Sequence, residues 1–328
     1  MKNKKIALLI TISLSIITLT SCTKDAQSST SITAQNPKAE DSTFKADSSP
    51  STKETTETTK TTENAEKITP ANAVTKLDGR REEFLVRLDI IQKRLDLLPE
   101  KKNSDAGITI SMKSFYGDSY RCYDDALNEI YNLLKEQLSQ DIMKNLEAEE
   151  INWITQKENA ANAAASEFKG GTFEPVAYNT SLYNSTKARC YELVNNYMTD
   201  SKFKINANKE EYLKELANIE NELLSSQEYK DAGSGTTNSM FTYADKKYIK
   251  WDEQLNKIYS LLKQQLPSDE MSKLNKEELQ WITQKETKAK KSEESQGVGS
   301  QLGSVAYQAS LAFVTESRCY ELVYKYMK

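Results

Sequence analysis

The chain has 328 residues, a formal net charge of −4 and a mean hydropathy of −0.69, polar for a globular protein. With only 10 Gly and 6 Pro, a loop-rich all-β design is disfavoured, and the complete lack of His removes the commonest general base, proton shuttle and metal ligand. Cys22, Cys122, Cys190 and Cys319 have no zinc spacing, and no GxGxxG, Walker, GxSxG or HExxH pattern occurs, so the sequence reads as a non-enzyme with no expected cofactor, metal or catalytic residue.

Lys2, Lys4 and Lys5 precede an apolar run from Ile6 to Leu19, and Leu19-Thr20-Ser21-Cys22 follows. A run this short is a signal-peptide core rather than a membrane-spanning helix. Leu-Thr-Ser-Cys resembles the lipobox of bacterial lipoproteins. That resemblance implies a signal peptide over residues 1–21, cleavage before Cys22, a diacylglycerol on the Cys22 sulfur, and a place on the extracytoplasmic face of the cell membrane.

Residues 22–76 are rich in Ser, Thr, Lys and Glu and nearly free of large apolar side chains. Such a segment buries too little to offset its ordering entropy, and a disordered tether is expected. Its root-mean-square reach is roughly 40 Å by flexible-chain scaling.

From Leu77 onward the pattern is helical. Phe84, Leu88, Ile91, Leu95 and Leu98 step by four, three, four and three, which is one helical face. Pro99 is expected to stop that helix, with a loop through Asp105, Ala106 and Gly107. Leu127, Ile130, Tyr131, Leu134 and Leu138 mark a second helix. Leu146, Glu150, Trp153, Ile154 and Lys157 mark a third. After a break at Gly170, Gly171 and Pro175, Tyr178, Leu182, Thr186, Cys190, Leu193 and Tyr197 mark a fourth.

The same series then runs again. Trp153-Ile154-Thr155-Gln156-Lys157-Glu158 returns unchanged as Trp281-Ile282-Thr283-Gln284-Lys285-Glu286, and Arg189-Cys190-Tyr191-Glu192-Leu193-Val194 returns as Arg318-Cys319-Tyr320-Glu321-Leu322-Val323. Phe84, Leu88, Ile91 and Leu95 map onto Tyr212, Leu216, Ile219 and Leu223. Two copies of one domain follow, residues 77–200 and 201–328. The expected fold is all-α: two tandem antiparallel bundles of about four helices each.

Tyr131, Trp153, Tyr259 and Trp281 are expected as core anchors, Trp153 and Trp281 packing there with Ile154 and Ile282. Ligand-facing indoles are the alternative. Arg189 and Arg318 fit structural ion pairs, Arg189 with Asp124 or Glu158 and Arg318 with Asp252 or Glu286, or else the reading of an acidic ligand. Cys122 and Cys190 are expected as free thiols, because Cys122 is placed near the start of its helix and Cys190 about 18 Å down the fourth.

Residues 79–200 carry 15 basic and 20 acidic side chains, and residues 201–328 carry 19 of each. Removal of the three signal-peptide lysines takes the net charge from −4 to −7. This disfavours nucleic acid and suits a cationic protein partner.

A Cys before an Asp, then Leu-Asn, Tyr, a Leu-bearing Trp helix and Thr-xx-Arg-xxx-Leu, resembles the LprI-like lysozyme-inhibitor domains. The first copy shows it through Cys122, Asp124, Leu127-Asn128, Tyr131, Leu146, Trp153, Thr186, Arg189 and Leu193. The second shows it through Asp252, Leu255-Asn256, Tyr259, Leu274, Trp281, Thr315, Arg318 and Leu322. The family's Gln before Trp is Glu150 and Glu278 here, and its Cys after the Trp helix is absent. The resemblance implies exported helical modules that bind a partner, with inhibition of a cationic lysozyme as the sharp expectation. The loops between helices would carry it, through Phe115 and Tyr116 or Phe173 and Glu174. Binding of wall polymer or another envelope protein, without inhibition, is the alternative.

Overall fold

The computed structural model describes residues 73–328. The expected signal peptide, the lipidation at Cys22 and residues 22–72 of the expected tether lie outside the described residues. Among the described residues there is no named strand, and no helix is long and apolar enough to cross a membrane.

Each module has five helices rather than four. Module 1 comprises α1 (Arg81–Asp96), α2 (Pro99–Asp105), α3 (Thr109–Gln137), α4 (Gln140–Ser166) and α5 (Glu174–Tyr197). Module 2 comprises α6 (Lys209–Ser225), α7 (Gln227–Ala232), α8 (Thr237–Gln265), α9 (Ser268–Gln296) and α10 (Gln301–Tyr326). The extra elements are α2 and α7. Pro99 ends α1 and also opens α2, because the first position of a helix needs no N–H from Pro. At the same place in module 2, the Ser226 hydroxyl accepts from the Tyr229 N–H and caps α7.

Helices α3, α4 and α5 run up, down and up. Glu158 meets Tyr178 while Glu150 meets Arg189, so α4 and α5 are antiparallel. Lys113 meets Asn179 while Tyr123 meets Cys190, so α3 and α5 are parallel. Module 2 repeats the first relation, with Glu286 meeting Tyr307 and Glu278 meeting Arg318. Each module is closed where its ends meet. Leu77 N–H donates to the Tyr197 carbonyl at 2.8 Å, and Ile205 N–H to that of Tyr326 at 2.7 Å.

The apolar face read from the sequence lines the core. Phe84, Leu88, Leu95, Leu127, Ile130, Leu134, Leu146 and Leu193 are buried in module 1. Leu216, Leu223, Leu255, Ile258, Leu262, Leu274 and Leu322 are buried in module 2. The thiols are free, with Cys190 and Cys319 buried and Cys122 half-buried. The axial separation expected of Cys122 and Cys190 is not found. Helix α3 begins at Thr109, so Cys122 sits mid-helix, beside the Tyr123 carbonyl that the Cys190 thiol contacts at 3.4 Å. Burial pushes the Cys122 thiol up to about 11 and Cys190 to about 12, which leaves both as unreactive thiols.

Both modules pack into one compact unit. Arg80, just before α1, and Glu83, Arg87 and Arg94 on one face of α1 form a charged seam against α9 and α10. Arg87 grips Glu321 with two hydrogen bonds, at 2.8 and 3.0 Å, and also meets Glu129. Lys325 bridges Glu83 at 3.0 Å and Glu277 at 2.7 Å. Glu83 is fully buried. Burial alone would raise its carboxyl pKa, but the charges of Arg80, Lys325, Arg318 and Arg87 outweigh that and hold it well below the usual carboxylate range.

Candidate binding surfaces

The repeated hexapeptide divides into an inner and an outer half. On the inner side, the Lys157 ammonium lies 4.9 Å from the Trp153 ring centroid and 5.3 Å from that of Tyr120. Lys285 stands at the same two distances from Trp281 and Tyr248. These are cation–π contacts with buried stems. Glu158 accepts from the Tyr178 hydroxyl at 2.8 Å, and Glu286 from that of Tyr307 at 2.6 Å. Lys and Glu of the motif therefore fasten α3 and α5 onto α4, and α8 and α10 onto α9. Trp281 is buried and Trp153 half-buried, both against their module's core. Tyr131 and Tyr259 are also half-buried against the cores.

Arg189 pairs with Glu150 at 2.7 Å and Glu192 at 2.9 Å, not with Asp124 or Glu158. Arg318 pairs with Glu278 at 2.6 Å and Glu321 at 3.0 Å, not with Asp252 or Glu286. The antiparallel register explains the correction. Tyr178 takes Glu158, so a residue three turns further along α5 meets α4 about two turns nearer its start. The acids that replace the family's Gln are thus the partners of the two arginines. Burial by itself would lower the Arg189 pKa, but hydrogen bonds to Glu192 and Glu150 raise it.

The outer half faces solvent. Ile154 is 49 % exposed and Ile282 46 %, which corrects their expected place in the core. A residue next to Trp on a helix points about 100° away from it, out of the bundle. Ile151 and Leu279, one turn earlier at matching positions, are 69 % and 68 % exposed. Thr155, Gln156, Thr283 and Gln284 are exposed beside them. Each module therefore carries an apolar patch with the same Ile-Thr-Gln on the outside of α4 or α9.

The expected loop contacts sit differently. Phe115 lies within α3, buried in the core, with its ring edge-on to Tyr116 at 5.2 Å. It offers nothing to a partner as placed, because α3 begins six residues before it. Tyr116 is half-buried. Phe173 is half-buried and packs on Phe168 at 4.8 Å. Glu174 accepts from the Gly170 N–H at 2.7 Å and ties the α4–α5 turn. What sequence reasoning missed at this end of module 1 are Ile108, Ile110 and Phe168, each exposed. Asn179 donates to the Lys113 carbonyl at 3.2 Å, so the α4–α5 turn and the start of α3 share that end. Ile108 and Ile110 fall before the helical periodicity begins, which hid them.

No group of three or more Cys, Asp or Glu placed to hold a metal occurs among the described residues. Comparison with protein families gives the model described as lysozyme inhibitor LprI, matched over residues 100–193 and again over 228–322. The two matches cover more than half of the chain and fall one in each module. The chain belongs to the LprI family. Searches of curated proteins and of solved structures gave no match. The LprI matches run from α2 to the last turns of α5, and from α7 to the last turns of α10. Helices α1 and α6 lie outside them, so most of the charged face that α1 brings to the seam is outside the family pattern.

Proposed function

We propose that the chain is a lipid-anchored, extracytoplasmic LprI protein that inhibits a cationic lysozyme by binding it, and that it is not an enzyme. The observation that carries this reading is the family match in both modules. The anchor rests on Cys22 and the signal-like segment before it. The contact surfaces are the two outer patches, Ile151, Ile154, Thr155 and Gln156 on α4 and Leu279, Ile282, Thr283 and Gln284 on α9. Exposed positions drift after duplication unless something holds them, and Ile-Thr-Gln is identical in both copies. Exposed apolar side chains at matched places are the usual mark of an interface. Two patches on one chain allow bivalent engagement.

The test is a lytic assay at two ionic strengths, titrated with the full chain carrying Cys22→Ser to keep it free of lipid. Stoichiometric inhibition that weakens with salt is the expected result. Unchanged lysis at a tenfold excess removes lysozyme as the partner and leaves the non-inhibitory envelope module, for which retention on peptidoglycan is the corresponding measurement.

A further inference from the structure

An elongated slot of about 420 Å³ runs between α1 of module 1 and α6, α8 and α10 of module 2. Its α1 wall is a second stripe, from Val86 through Ile90 and Lys93 to Leu97, distinct from the core face that carries Phe84, Leu88 and Leu95. Val86 to Leu97 spans about 16 Å along the helix. The apolar stripe along that length suits an extended hydrocarbon chain. The facing wall includes Leu223, Leu224, Met240, Ala244 and Phe313.

The repeat explains why the space exists. In module 1, Tyr116 and Tyr183 pack with ring centroids 6.0 Å apart, and the Tyr183 hydroxyl donates to Gln92 at 2.8 Å. The matching residues of module 2 are Ala244, Ala312 and Glu220. Ala244 lines the slot where module 1 carries the Tyr116 ring, whereas Ala312 is fully buried and outside its lining.

The lining carries three cations and three carboxylates, so the wall as a whole is neutral. Arg94 and Lys247 both hold Glu316, each at 2.8 Å, which places two cations and one carboxylate at its better-buried end. The outer charges, Lys93, Glu220 and Asp89, lie toward the surface. Burial lowers the Arg94 pKa despite the raising effect of Glu316 and Glu220, so its surroundings do not fully compensate its charge. Tyr243 is 6 % exposed and lines the slot. An apolar cavity with a few convergent polar groups is the form of a small-molecule site.

We propose that this slot binds a single hydrocarbon chain bearing an anionic head, the chemistry shared by a fatty acid and a single-chain phospholipid, with the chain along α1 and the head against Arg94, Lys247 and the Tyr243 hydroxyl. The α1 and α6 walls lie outside the family-matched residues, while the α8 and α10 walls lie mostly within the second match, so the site needs the tandem arrangement.

The test is calorimetric titration of the full chain, again carrying Cys22→Ser so that no attached acyl chain competes, with myristate in one arm and lysophosphatidylglycerol in the other. One ligand per chain is expected in at least one arm, and the arm that binds names the source. Ala244→Tyr restores the ring that module 1 has, and Ala309→Phe fills the slot from the α10 side. Each is expected to weaken binding at least tenfold while the helical circular dichroism is kept. Ala309 is half-buried, so its replacement reads the site even where Ala244→Tyr disturbs packing. Tyr243→Phe, which removes only the hydroxyl, should weaken binding severalfold. Saturable binding of neither ligand overturns the proposal, as does equal binding by wild type, Ala244→Tyr and Ala309→Phe.

Discussion

Tyr116 and Tyr183 of module 1 stand where module 2 has Ala244 and Ala312, Glu192 stands where it has Glu321, and Ile108 where it has Thr236. The side chain of Glu192 is 51 % exposed, whereas that of Glu321 is 2 % exposed because α1 covers it. Yet Lys157 and Lys285 sit at identical distances from their Trp and Tyr rings, and Glu150 and Glu278 hold their arginines alike. Duplication preserved the fasteners between helices within a module. It freed the surfaces, and one of those, the face of α10, became the floor on which the first helix of the other module rests.

That asymmetry is sharpest at Glu83 and its counterpart Glu211, which is exposed. Glu83→Ala leaves Arg80, Lys325 and Arg318 without their central carboxylate in a dry seam, and breaking one side of a buried charge cluster costs about 3–5 kcal/mol. Glu211→Ala should change stability by no more than about 0.5 kcal/mol. Urea unfolding of both variants measures the difference. Equal effects would mean that the seam does not join the modules energetically.

Acid should act on the same seam. Burial tends to raise the Glu129 carboxyl, but Arg87 and Lys288 pull it down to about 2. Its counterpart in module 2 is Lys257. A carboxyl whose folded pKa is depressed contributes stability that is present above its unfolded value and is lost as pH falls through the folded one. The stability read from urea unfolding should therefore drop between about pH 4.3 and pH 2, by on the order of 2–3 kcal/mol for Glu129. Glu129→Gln should be less stable than wild type at pH 7 and show a shallower drop over that window.

The outer patches test whether two equivalent surfaces work equally. Ile154→Asp and Ile282→Asp replace exposed side chains, so the fold should be unaffected. If both patches bind, each single change should roughly halve the lysozyme taken up per chain, and the pair together should weaken inhibition at least tenfold, about 1.4 kcal/mol. A full effect from one change and none from the other would assign binding to one module. Tyr116→Ala with Phe173→Ala is the matching control at the bundle end.

Much of this architecture was legible. The returning hexapeptide announced two modules, and the spacing of Phe84, Leu88 and Leu95 announced the core face of α1. The second face of α1 was not legible, because Arg80, Glu83, Arg87 and Arg94 look like a solvated stripe until a partner helix covers them. Ile154 lies outside the core although it neighbours Trp153, because a helix turns about 100° per residue. The arginine partners needed the register of α4 against α5, which one chain's periodicity does not give. One wall of the slot could have been suspected from Ala244 standing where module 1 has Tyr116, once the repeats are aligned.

Helix starts give the smallest contrast and a direct way to exchange it. The Thr236 hydroxyl caps α8 by accepting from the Ser239 N–H at 3.2 Å. At the matching start of α3, Ile108 offers no side-chain acceptor and is 46 % exposed. A lost Thr cap typically costs about 1 kcal/mol, so Thr236→Ala should lower stability by about that amount. Ile108→Thr gives module 1 the cap that module 2 has, and removes an exposed apolar side chain without touching the core. It should raise stability by about 0.5–1 kcal/mol, read as a shift of the urea midpoint at constant slope. A fall instead would show that Ile108 packs against the start of α3 more usefully than its exposure indicates, and that the two starts are built on different principles despite their common origin.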